Sequence, residues 1–305
     1  MAIAVVFPGQ GSQFAGMADP WAEHPAGRAV LDEAGEAMGR DVVAGAHDEA
    51  ALATTEFVQP ALLACGVAAF RVLEAEGLTG VVGAAGHSLG EFSALVAANV
   101  LPLKGALRVV VVRGQAMQRA GEARPGTMTA LLAGPDEAEA ICVEAREDDA
   151  LLVANRNSPL QSVISGSVAA IERAEAVAAA RKIRAVRLQV AGAFHSPLMQ
   201  PAVQPIIDEL ALLEFAPPRF PIAENVSGTL VADAAELRTL LERHVVSPVR
   251  WYDDAQALAA AGASTFLECG PGDVLTRMAK RVVPGASALA VGSPETAVTA
   301  VSSAP

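Results

Sequence analysis

The chain has 305 residues, of which 52% are hydrophobic and 18% charged. Such a composition buries a sizeable core and excludes an intrinsically disordered polypeptide. The formal net charge of -12 excludes a general binder of nucleic acid or of anionic membranes, because both need basic surfaces. Three widely spaced cysteines fit neither a zinc site nor a disulfide framework, and the sequence shows no signal-peptide pattern and no apolar run of membrane-spanning length. We therefore expect a cytoplasmic protein without a bound metal.

Before residue 120 the sequence alternates between apolar runs and helical patterns. Residues 3–7 are five apolar residues in a row, which is typical of a buried parallel strand, and residues 81–85 form a second short run. Residues 20–58 are acidic and Ala-rich and predict surface helices. Apolar spacing predicts three further helices, at residues 60–76, 89–100 and 104–120.

The pattern changes after the segment GEARPG. The residues that follow it predict strand, helix, strand, strand, helix and strand, which is the order of a small ferredoxin-like unit. Strand–helix alternation then resumes. We predict a large α/β domain formed by residues 1–126 and 194–290, with a ferredoxin-like (βαββαβ) subdomain inserted at 127–193. Residues 291–305 lack clear periodicity and are expected to form a flexible tail.

The segment GHSLG at residues 86–90 follows the second apolar run and begins a predicted helix. This is the G-x-S-x-G pattern in its strand–turn–helix context, in which a serine projects from a sharp turn. The residues two before and two after the serine must be small at such a turn. The hydroxyl of Ser88 also lies at the amino terminus of a helix, where negative charge is stabilised. We predict Ser88 as a nucleophile; the alternative is a glycine-bounded turn with an incidental serine.

A serine nucleophile needs a base, and the chain has five histidines. His24 and His47 lie in acidic surface stretches. His87 is adjacent to the serine in sequence, so the two side chains diverge. His244 lies at a helix end, whereas His195, in AGAFHSPLM, lies at the junction of the inserted unit and the large domain. Elimination and this junction position favour His195 as the base.

The helix KGALRVVVVRGQAMQRA contains an arginine on its apolar face. Arg113 shares this face with Val109 and Val110 one turn before it, and with Ala116 and Met117 one turn after it. A buried guanidinium prefers a carboxylate or phosphate held through two parallel hydrogen bonds. From the residues alone two partners stay open. An Asp or Glu of the chain would make Arg113 structural, whereas a substrate with a free carboxylate would make it a binding residue.

Taken together, the motifs resemble the malonyl-CoA:acyl carrier protein transacylases and the acyltransferase domains of polyketide synthases. The resemblance covers almost the whole chain, and GHSLGE is its most specific motif. The other matching segments, in chain order, are FPGQGSQ, QPA, RGQAMQ, NSPLQSVISG, GAFHSPLM, NVSG, SPVRW and ECGPGDVLT. The resemblance implies an α/β-hydrolase-like large domain with an inserted ferredoxin-like subdomain, and an active site in the cleft between them.

The resemblance also implies a ping-pong reaction. Ser88, activated by His195, would take the malonyl group from malonyl-CoA, and the phosphopantetheine thiol of an acyl carrier protein would then take it from the serine ester. The carboxylate of the malonyl group would pair with Arg113. No metal or bound cofactor is required. A backbone carbonyl at or near His244, rather than an Asp side chain, would orient the catalytic histidine.

The Gly-rich loop in FPGQGSQF acquires a role through the same resemblance. A phosphate-binding Rossmann loop needs G-x-G-x-x-G or A, and Phe14 breaks that pattern. In the family, the matching loop supplies the backbone N–H of Gln10 as an oxyanion donor, beside that of Leu89. The negative charge at this loop would then be the oxygen of a tetrahedral intermediate, not a nucleotide phosphate.

The resemblance places Met117, Asn157 and Phe194 in the substrate pocket. The AFHS stretch resembles malonyl-selective members, because a bulky Phe194 would crowd an α-substituent. Gly192 stands where polyketide modules often carry His, which favours a free-standing enzyme. A discrete acyltransferase that serves a polyketide synthase in trans stays open. Two further alternatives are a transferase for a larger carboxylated acyl unit and transfer between two carrier proteins.

Two alternatives lie outside this reaction. A serine thioesterase or hydrolase would need water access and usually an acidic triad member, and a carboxylate clamp has no purpose for plain fatty acyl chains. A non-catalytic docking module would not need an intact nucleophile and base.

Since the chain is acidic overall, an acidic carrier protein would need a local basic patch. The two candidate patches are Arg181, Lys182, Arg184 and Arg187, or Arg277, Lys280 and Arg281.

Overall fold

Two β-sheets with packed helices make up the computed structural model of the chain, which describes residues 2–302. Its strands are β1 (Ile3–Phe7), β2 (Val81–Gly86), β3 (Gly126–Leu131), β4 (Leu151–Ser158), β5 (Gln161–Ser167), β6 (Ala185–Arg187), β7 (Ile222–Glu224), β8 (Thr229–Val231), β9 (Thr265–Cys269) and β10 (Ser287–Val291). Its α-helices are α1 (Asp19–Ala22), α2 (Pro25–Met38), α3 (Val42–Gly45), α4 (Glu49–Leu52), α5 (Thr55–Ala75), α6 (Gly90–Ala97), α7 (Leu103–Ala123), α8 (Pro135–Ala145), α9 (Val168–Ala180), α10 (Gln200–Leu210), α11 (Ala234–Glu242), α12 (Trp251–Ala260), α13 (Val274–Val282) and α14 (Pro294–Ser302). Short 3-10 helices lie at Pro197–Met199 and His244–Val246.

The larger sheet has the strand order β10-β9-β1-β2-β7-β8. Neighbouring strands are parallel except β7 and β8, which form an antiparallel edge. All residues of β1 are buried, and its alternate side chains enter two separate cores: Val5 and Phe7 pack into one, Ala4 and Val6 into the other. Burial on both faces explains the continuous apolar run, and the predicted buried parallel strand is confirmed.

Helix α5 is the central helix of the larger core. It has the length and mean hydropathy of a membrane-spanning helix, although no apolar run of that length was expected from the sequence, and 89% of its most apolar window is buried inside the protein. The helix begins before the predicted residue 60. Thr54 caps it by accepting a hydrogen bond from the N–H of Phe57, and Pro60 is accommodated inside the helix.

The smaller sheet is antiparallel and has the strand order β4-β5-β3-β6. Helices α8 and α9 pack on it around Leu131 and Ile164. This βαββαβ unit lies between α7 and α10 in the chain, and it confirms the predicted ferredoxin-like fold of the inserted part. Strand β4 also joins it to the larger part, because the N–H of Arg156 donates to the carbonyl of Val249 and the N–H of Val249 donates to that of Ala154.

Two sequence-based expectations about the periphery are wrong. The helices of residues 20–58 are not confined to the surface, because α2 packs against α5 and Trp21 and Leu31 are buried. The flexible tail expected at 291–305 is instead ordered up to residue 302. Strand β10 pairs in parallel with β9, and α14 buries Ala297 and Ala300. The small residues of this helix make a weak periodic signal; residues 303–305 lie outside the described part of the chain.

Candidate active site

A sharp turn between β2 and α6 carries Ser88. Its φ of 52° is in the left-handed region, which costs a non-glycine residue about 1–2 kcal/mol. A Cβ atom on Gly86 would overlap the backbone of Gly90 and Glu91, and one on Gly90 would overlap the carbonyl of Phe7. The small residues two before and two after the serine are therefore required by backbone contacts, as the sequence analysis reasons.

The hydroxyl of Ser88 faces the imidazole of His195, with 2.7 Å between Oγ and Nε2. On the other side of the ring, Nδ1 lies 2.9 Å from the carbonyl oxygen of Ser247 and 3.2 Å from that of His244. Two carbonyl acceptors favour a proton on Nδ1, which leaves the lone pair of Nε2 for the serine. A carbonyl at or near His244 was expected from the family resemblance, whereas the nearer carbonyl of Ser247 was not.

The imidazole of His195 is neutral at neutral pH. Its burial, and after that the positive charge of Arg113, lowers the pKa of His195 to about 3. A neutral ring with a free lone pair toward a hydroxyl is the state that accepts a proton. The adjacent His87 does not compete for this role, because its Nε2 lies 3.0 Å from Oδ1 of Asn157.

Arg113 of α7 reaches the same hydroxyl from another side. Its Nη2 donates to Ser88 Oγ at 3.0 Å, and its Nη1 donates to Oε1 of Gln59 at 2.6 Å. The side chain is 1% exposed, and burial lowers its pKa to about 10, so it stays charged at neutral pH. Within residues 2–302, no Asp or Glu forms an ion pair with this guanidinium. Among these residues Arg113 thus has no ion-paired carboxylate, although the buried Glu91 is near enough to oppose the lowering of the Arg113 pKa.

Gln10 and Leu89, whose backbone N–H groups are the expected oxyanion donors, line the same cleft as Ser88. Leu89 follows the nucleophile candidate at the start of α6, and Gln10 belongs to the loop after β1. Between residues 2 and 302, neither of these two N–H groups has a hydrogen-bond acceptor. The loop after β1 packs directly against the turn at Ser88 because Gly9 has no side chain. A Cβ atom at Gly9 would clash with the carbonyl of His87. Two free donors beside a nucleophile can stabilise an oxyanion.

A cleft of about 400 Å³ is lined by Ser88, His195 and Arg113. The larger part of the chain contributes the loop after β1, the turn at Ser88 and the first residues of α13. The smaller sheet contributes Met128, Ala130 and Val163. All residues predicted for the substrate pocket lie in the lining, namely Met117, Asn157 and Phe194. Within the described chain, no group of three or more His, Cys, Asp or Glu residues is arranged to hold a metal ion.

A family model described as "Acyl transferase domain" matches residues 4–300. The chain belongs to this acyl transferase family. A curated relative, the malonyl CoA-acyl carrier protein transacylase of Salmonella typhimurium, is 40% identical over 299 residues, which cover 95% of this chain and 96% of that protein. The resemblance drawn from the sequence motifs is confirmed.

Solved structures of acyl transferases have the same fold. The malonyl-CoA:acyl carrier protein transacylase of Xanthomonas oryzae superposes with a TM-score of 0.94 at 40% identity, and the match covers 99% of each chain. A malonyl-transacylase solved in complex with a type II polyketide synthase acyl carrier protein gives a TM-score of 0.94 at 37% identity, again over 99% of each chain. The predicted α/β fold with a second, smaller unit is confirmed.

Two buried residues of this acyl transferase support the site and have no role in the sequence analysis. Gln59 links Arg113 to the loop after β1, because its Nε2 lies 3.4 Å from Oε1 of Gln10. Asn225 contacts the backbone of the turn at Ser88. Both belong to quoted motifs, QPA and NVSG, so a signal was present. Their partners are distant in sequence, however, and only the fold shows which groups they bind.

Proposed function

We propose that the chain is a serine acyltransferase that moves a malonyl group from malonyl-CoA to the phosphopantetheine thiol of an acyl carrier protein. The observation that carries the proposal is a charged, buried Arg113 that forms no ion pair within residues 2–302 and lies 3.0 Å from the Oγ of Ser88. An acyl group that ends in a carboxylate can pair with the guanidinium of Arg113 while its thioester carbonyl lies near the Oγ of Ser88. The relatives named as malonyl transacylases support the same substrate.

In the first half-reaction, Nε2 of His195 takes the proton of Ser88 as Oγ attacks the thioester carbonyl. A C–O bond forms, and the carbonyl oxygen becomes an oxyanion that accepts hydrogen bonds from the N–H groups of Gln10 and Leu89. Each such donor typically lowers the barrier by about 3 kcal/mol. The intermediate then breaks its C–S bond. The sulfur of CoA leaves with the proton from His195, and a malonyl ester remains on the serine.

Substrate binding also makes the base stronger. In the free site, the positive charge of Arg113 is the second cause of the lowered pKa of His195, after burial. A malonyl carboxylate held by the guanidinium neutralises that charge, so the pKa of His195 rises toward the working pH. The histidine becomes a better base when a carboxylated substrate is present. The guanidinium therefore contributes to selection twice, once by binding the carboxylate and once through this electrostatic coupling.

In the second half-reaction, the phosphopantetheine thiol enters the cleft vacated by CoA. His195 takes the thiol proton, the sulfur attacks the ester carbonyl, and collapse of the intermediate returns the proton to Ser88 Oγ. Neither half-reaction needs a metal or a bound cofactor. The second candidate function, hydrolysis, would use the same two side chains with water. The apolar wall of Met128 and Val163 and the carboxylate-binding Arg113 favour transfer.

Phe194 and Met117 form the part of the pocket that would meet the α-carbon of the acyl group. Phe194 is 6% exposed and lines the cleft, so an α-methyl group would compete with its ring for space. This favours malonyl over methylmalonyl and larger carboxylated units.

The carrier protein can belong to fatty acid or polyketide synthesis, including a polyketide synthase served in trans. We also propose a cytoplasmic location, supported by the three buried free cysteines.

The test is intact-protein mass spectrometry after brief mixing with malonyl-, methylmalonyl-, ethylmalonyl- and acetyl-CoA in competition. A malonyl adduct that is absent from Ser88→Ala supports the proposal. A larger adduct contradicts the assignment of the acyl unit and keeps the mechanism. Release of CoA without any adduct favours the hydrolase. A malonyl adduct that a phosphopantetheinylated carrier protein fails to remove contradicts the second half-reaction.

A further inference from the structure

We propose that Asn225 is a positioning residue for the nucleophile, acting through the backbone of the turn that carries Ser88. This inference rests on the proposed role of Ser88 as the nucleophile. The side-chain amide of Asn225 takes the place of the C=O and N–H of one further residue of strand β7 and prolongs the sheet's hydrogen-bond ladder into the turn. It holds the peptide groups on both sides of His87 and so sets the direction in which the serine hydroxyl projects.

The ladder between β2 and β7 ends one step too early to hold the turn by itself. Its last backbone pair is Ala85 with Ala223. Beyond that point, Oδ1 of Asn225 accepts from the N–H of Ser88 at 2.8 Å, and Nδ2 donates to the carbonyl of Gly86 at 2.7 Å. In a parallel ladder, one residue of a strand accepts through its C=O from the N–H of the residue after its partner and donates through its N–H to the carbonyl of the residue before it. The amide of Asn225 makes this pattern around His87.

The orientation of this amide is fixed by its partners. The carbonyl of Gly86 only accepts and the N–H of Ser88 only donates, so the amide cannot be flipped. Nδ2 uses its second proton on Oδ2 of Asp254, at 2.9 Å. The backbone N–H of Asn225 donates to Oε2 of Glu91 at 3.0 Å. The residue is 0% exposed, so the amide makes these contacts away from bulk solvent.

The turn needs such a restraint because Ser88 has a strained φ of 52°. Without the amide, the Gly86 carbonyl and the Ser88 N–H have no partner on this side, and the turn can relax away from that conformation. Relaxation moves Oγ relative to Nε2 of His195 and Nη2 of Arg113, which lie at 2.7 and 3.0 Å. A misplacement of about 1 Å at a reacting atom can slow a reaction about 100-fold. No substrate atom needs to touch Asn225 for this effect.

Three variants separate positioning from general loss of structure. Asn225→Ala removes both contacts to the turn. The double variant Asn225→Asp with Asp254→Asn keeps an acceptor for the Ser88 N–H and an amide–carboxyl contact in the core, but it replaces the N–H donor to the Gly86 carbonyl with a carboxyl oxygen. Glu224→Gln is the matched control. Glu224 is the preceding residue and equally buried, and its carboxylate binds the N–H groups of Val226 and Ser227 instead of the turn.

Two rates are measured for each variant: formation of the malonyl ester from malonyl-CoA, and labelling by a fluorophosphonate, which needs a nucleophilic serine but no malonyl recognition. Binding of malonyl-CoA is measured separately in the Ser88→Ala background. We expect Asn225→Ala to slow both rates about 100-fold while binding in the Ser88→Ala background is unchanged. The double variant should slow both rates as well, and Glu224→Gln should lower thermal stability without slowing either.

Wild-type rates in Asn225→Ala, or in the double variant if Asn225→Ala does not fold, would overturn the positioning role. Equal slowing in Glu224→Gln, or weaker malonyl-CoA binding with Asn225→Ala added to Ser88→Ala, would overturn it as well, because either result indicates general loosening. Failure of the wild-type protein to form a malonyl ester would contradict the proposed function instead. The fluorophosphonate rates would still decide the role of Asn225 in that case.

Discussion

Replacing Arg113 with methionine should change which acyl group the protein accepts. Methionine fits the apolar face formed by Val109, Val110 and Met117, so the helix is expected to keep its packing. The change removes the two charge-assisted hydrogen bonds available to a substrate carboxylate. Breaking a buried ion pair by removing one partner costs about 3–5 kcal/mol. Since about 1.4 kcal/mol is tenfold, kcat/KM for malonyl-CoA should fall on the order of 10²- to 4 × 10³-fold.

The same substitution should favour acetyl-CoA. In the wild-type site, the methyl group of acetyl meets a guanidinium that is 1% exposed and forms no ion pair in the described part of the chain. Methionine removes that unfavourable contact, so kcat/KM for acetyl-CoA should stay level or rise while that for malonyl-CoA falls. The assay is acylation of the protein by the two thioesters in competition, followed by mass spectrometry. Thermal unfolding of each variant checks that the fold is retained.

Arg108→Met is the matched control, on the same helix. Arg108 is at the surface and pairs with Glu209, so its loss should leave the ratio of malonyl to acetyl unchanged. If Arg113→Met still prefers malonyl-CoA as strongly as the wild type, the carboxylate is recognised elsewhere. The argument from a buried arginine without a carboxylate partner would then be refuted.

Three further predictions concern the base, the pocket and the partner surface. Because burial, then the charge of Arg113, lowers the pKa of His195 to about 3, the neutral form persists as pH falls. The kcat/KM for acylation should therefore stay level from pH 7 to pH 5, where a histidine with an ordinary pKa of about 6.5 would lose about 25-fold; a loss of that size in stopped assays would contradict the low pKa. Phe194→Ser should lower the preference for malonyl-CoA over methylmalonyl-CoA by about tenfold, as measured in competition, and an unchanged ratio would exclude the ring as the selecting group. Lys280→Glu with Arg281→Glu should raise the KM for an acidic carrier protein about tenfold, whereas Arg181→Glu should not, because Arg181 is already paired with Glu137 and Glu144. An equal rise of KM in both would show that overall charge, not the surface of α13, governs docking.

The parts of the site that the sequence predicts are those with local physical causes. Ser88 is recognisable because the turn requires small residues at fixed positions next to it. Arg113 is recognisable because a charged residue interrupts an apolar helix face. The order of strands and helices in the inserted unit follows from short apolar runs that alternate with helical patterns. In each case the cause lies within about a dozen neighbouring residues.

The parts that the sequence does not predict depend on contacts between distant segments. Asn225 is 137 residues from Ser88, and Gln59 is 54 residues from Arg113. The carbonyl of Ser247 meets His195 because a 3-10 helix ends beside it. The ordered carboxyl-terminal helix was missed for another reason. Its buried residues are alanines, Ala297 and Ala300, which give a weak hydrophobic pattern although they allow close packing.

Both reacting side chains stand on left-handed backbone, Ser88 with φ 52° and His195 with φ 57°. Glycine adopts such angles without strain. At these two positions a change to glycine would therefore raise stability and abolish activity. Directed evolution for heat tolerance alone would drift toward glycine there and lose the chemistry. A stabilised version of this enzyme should be sought in the helices and loops remote from the cleft, with these two positions held constant during selection.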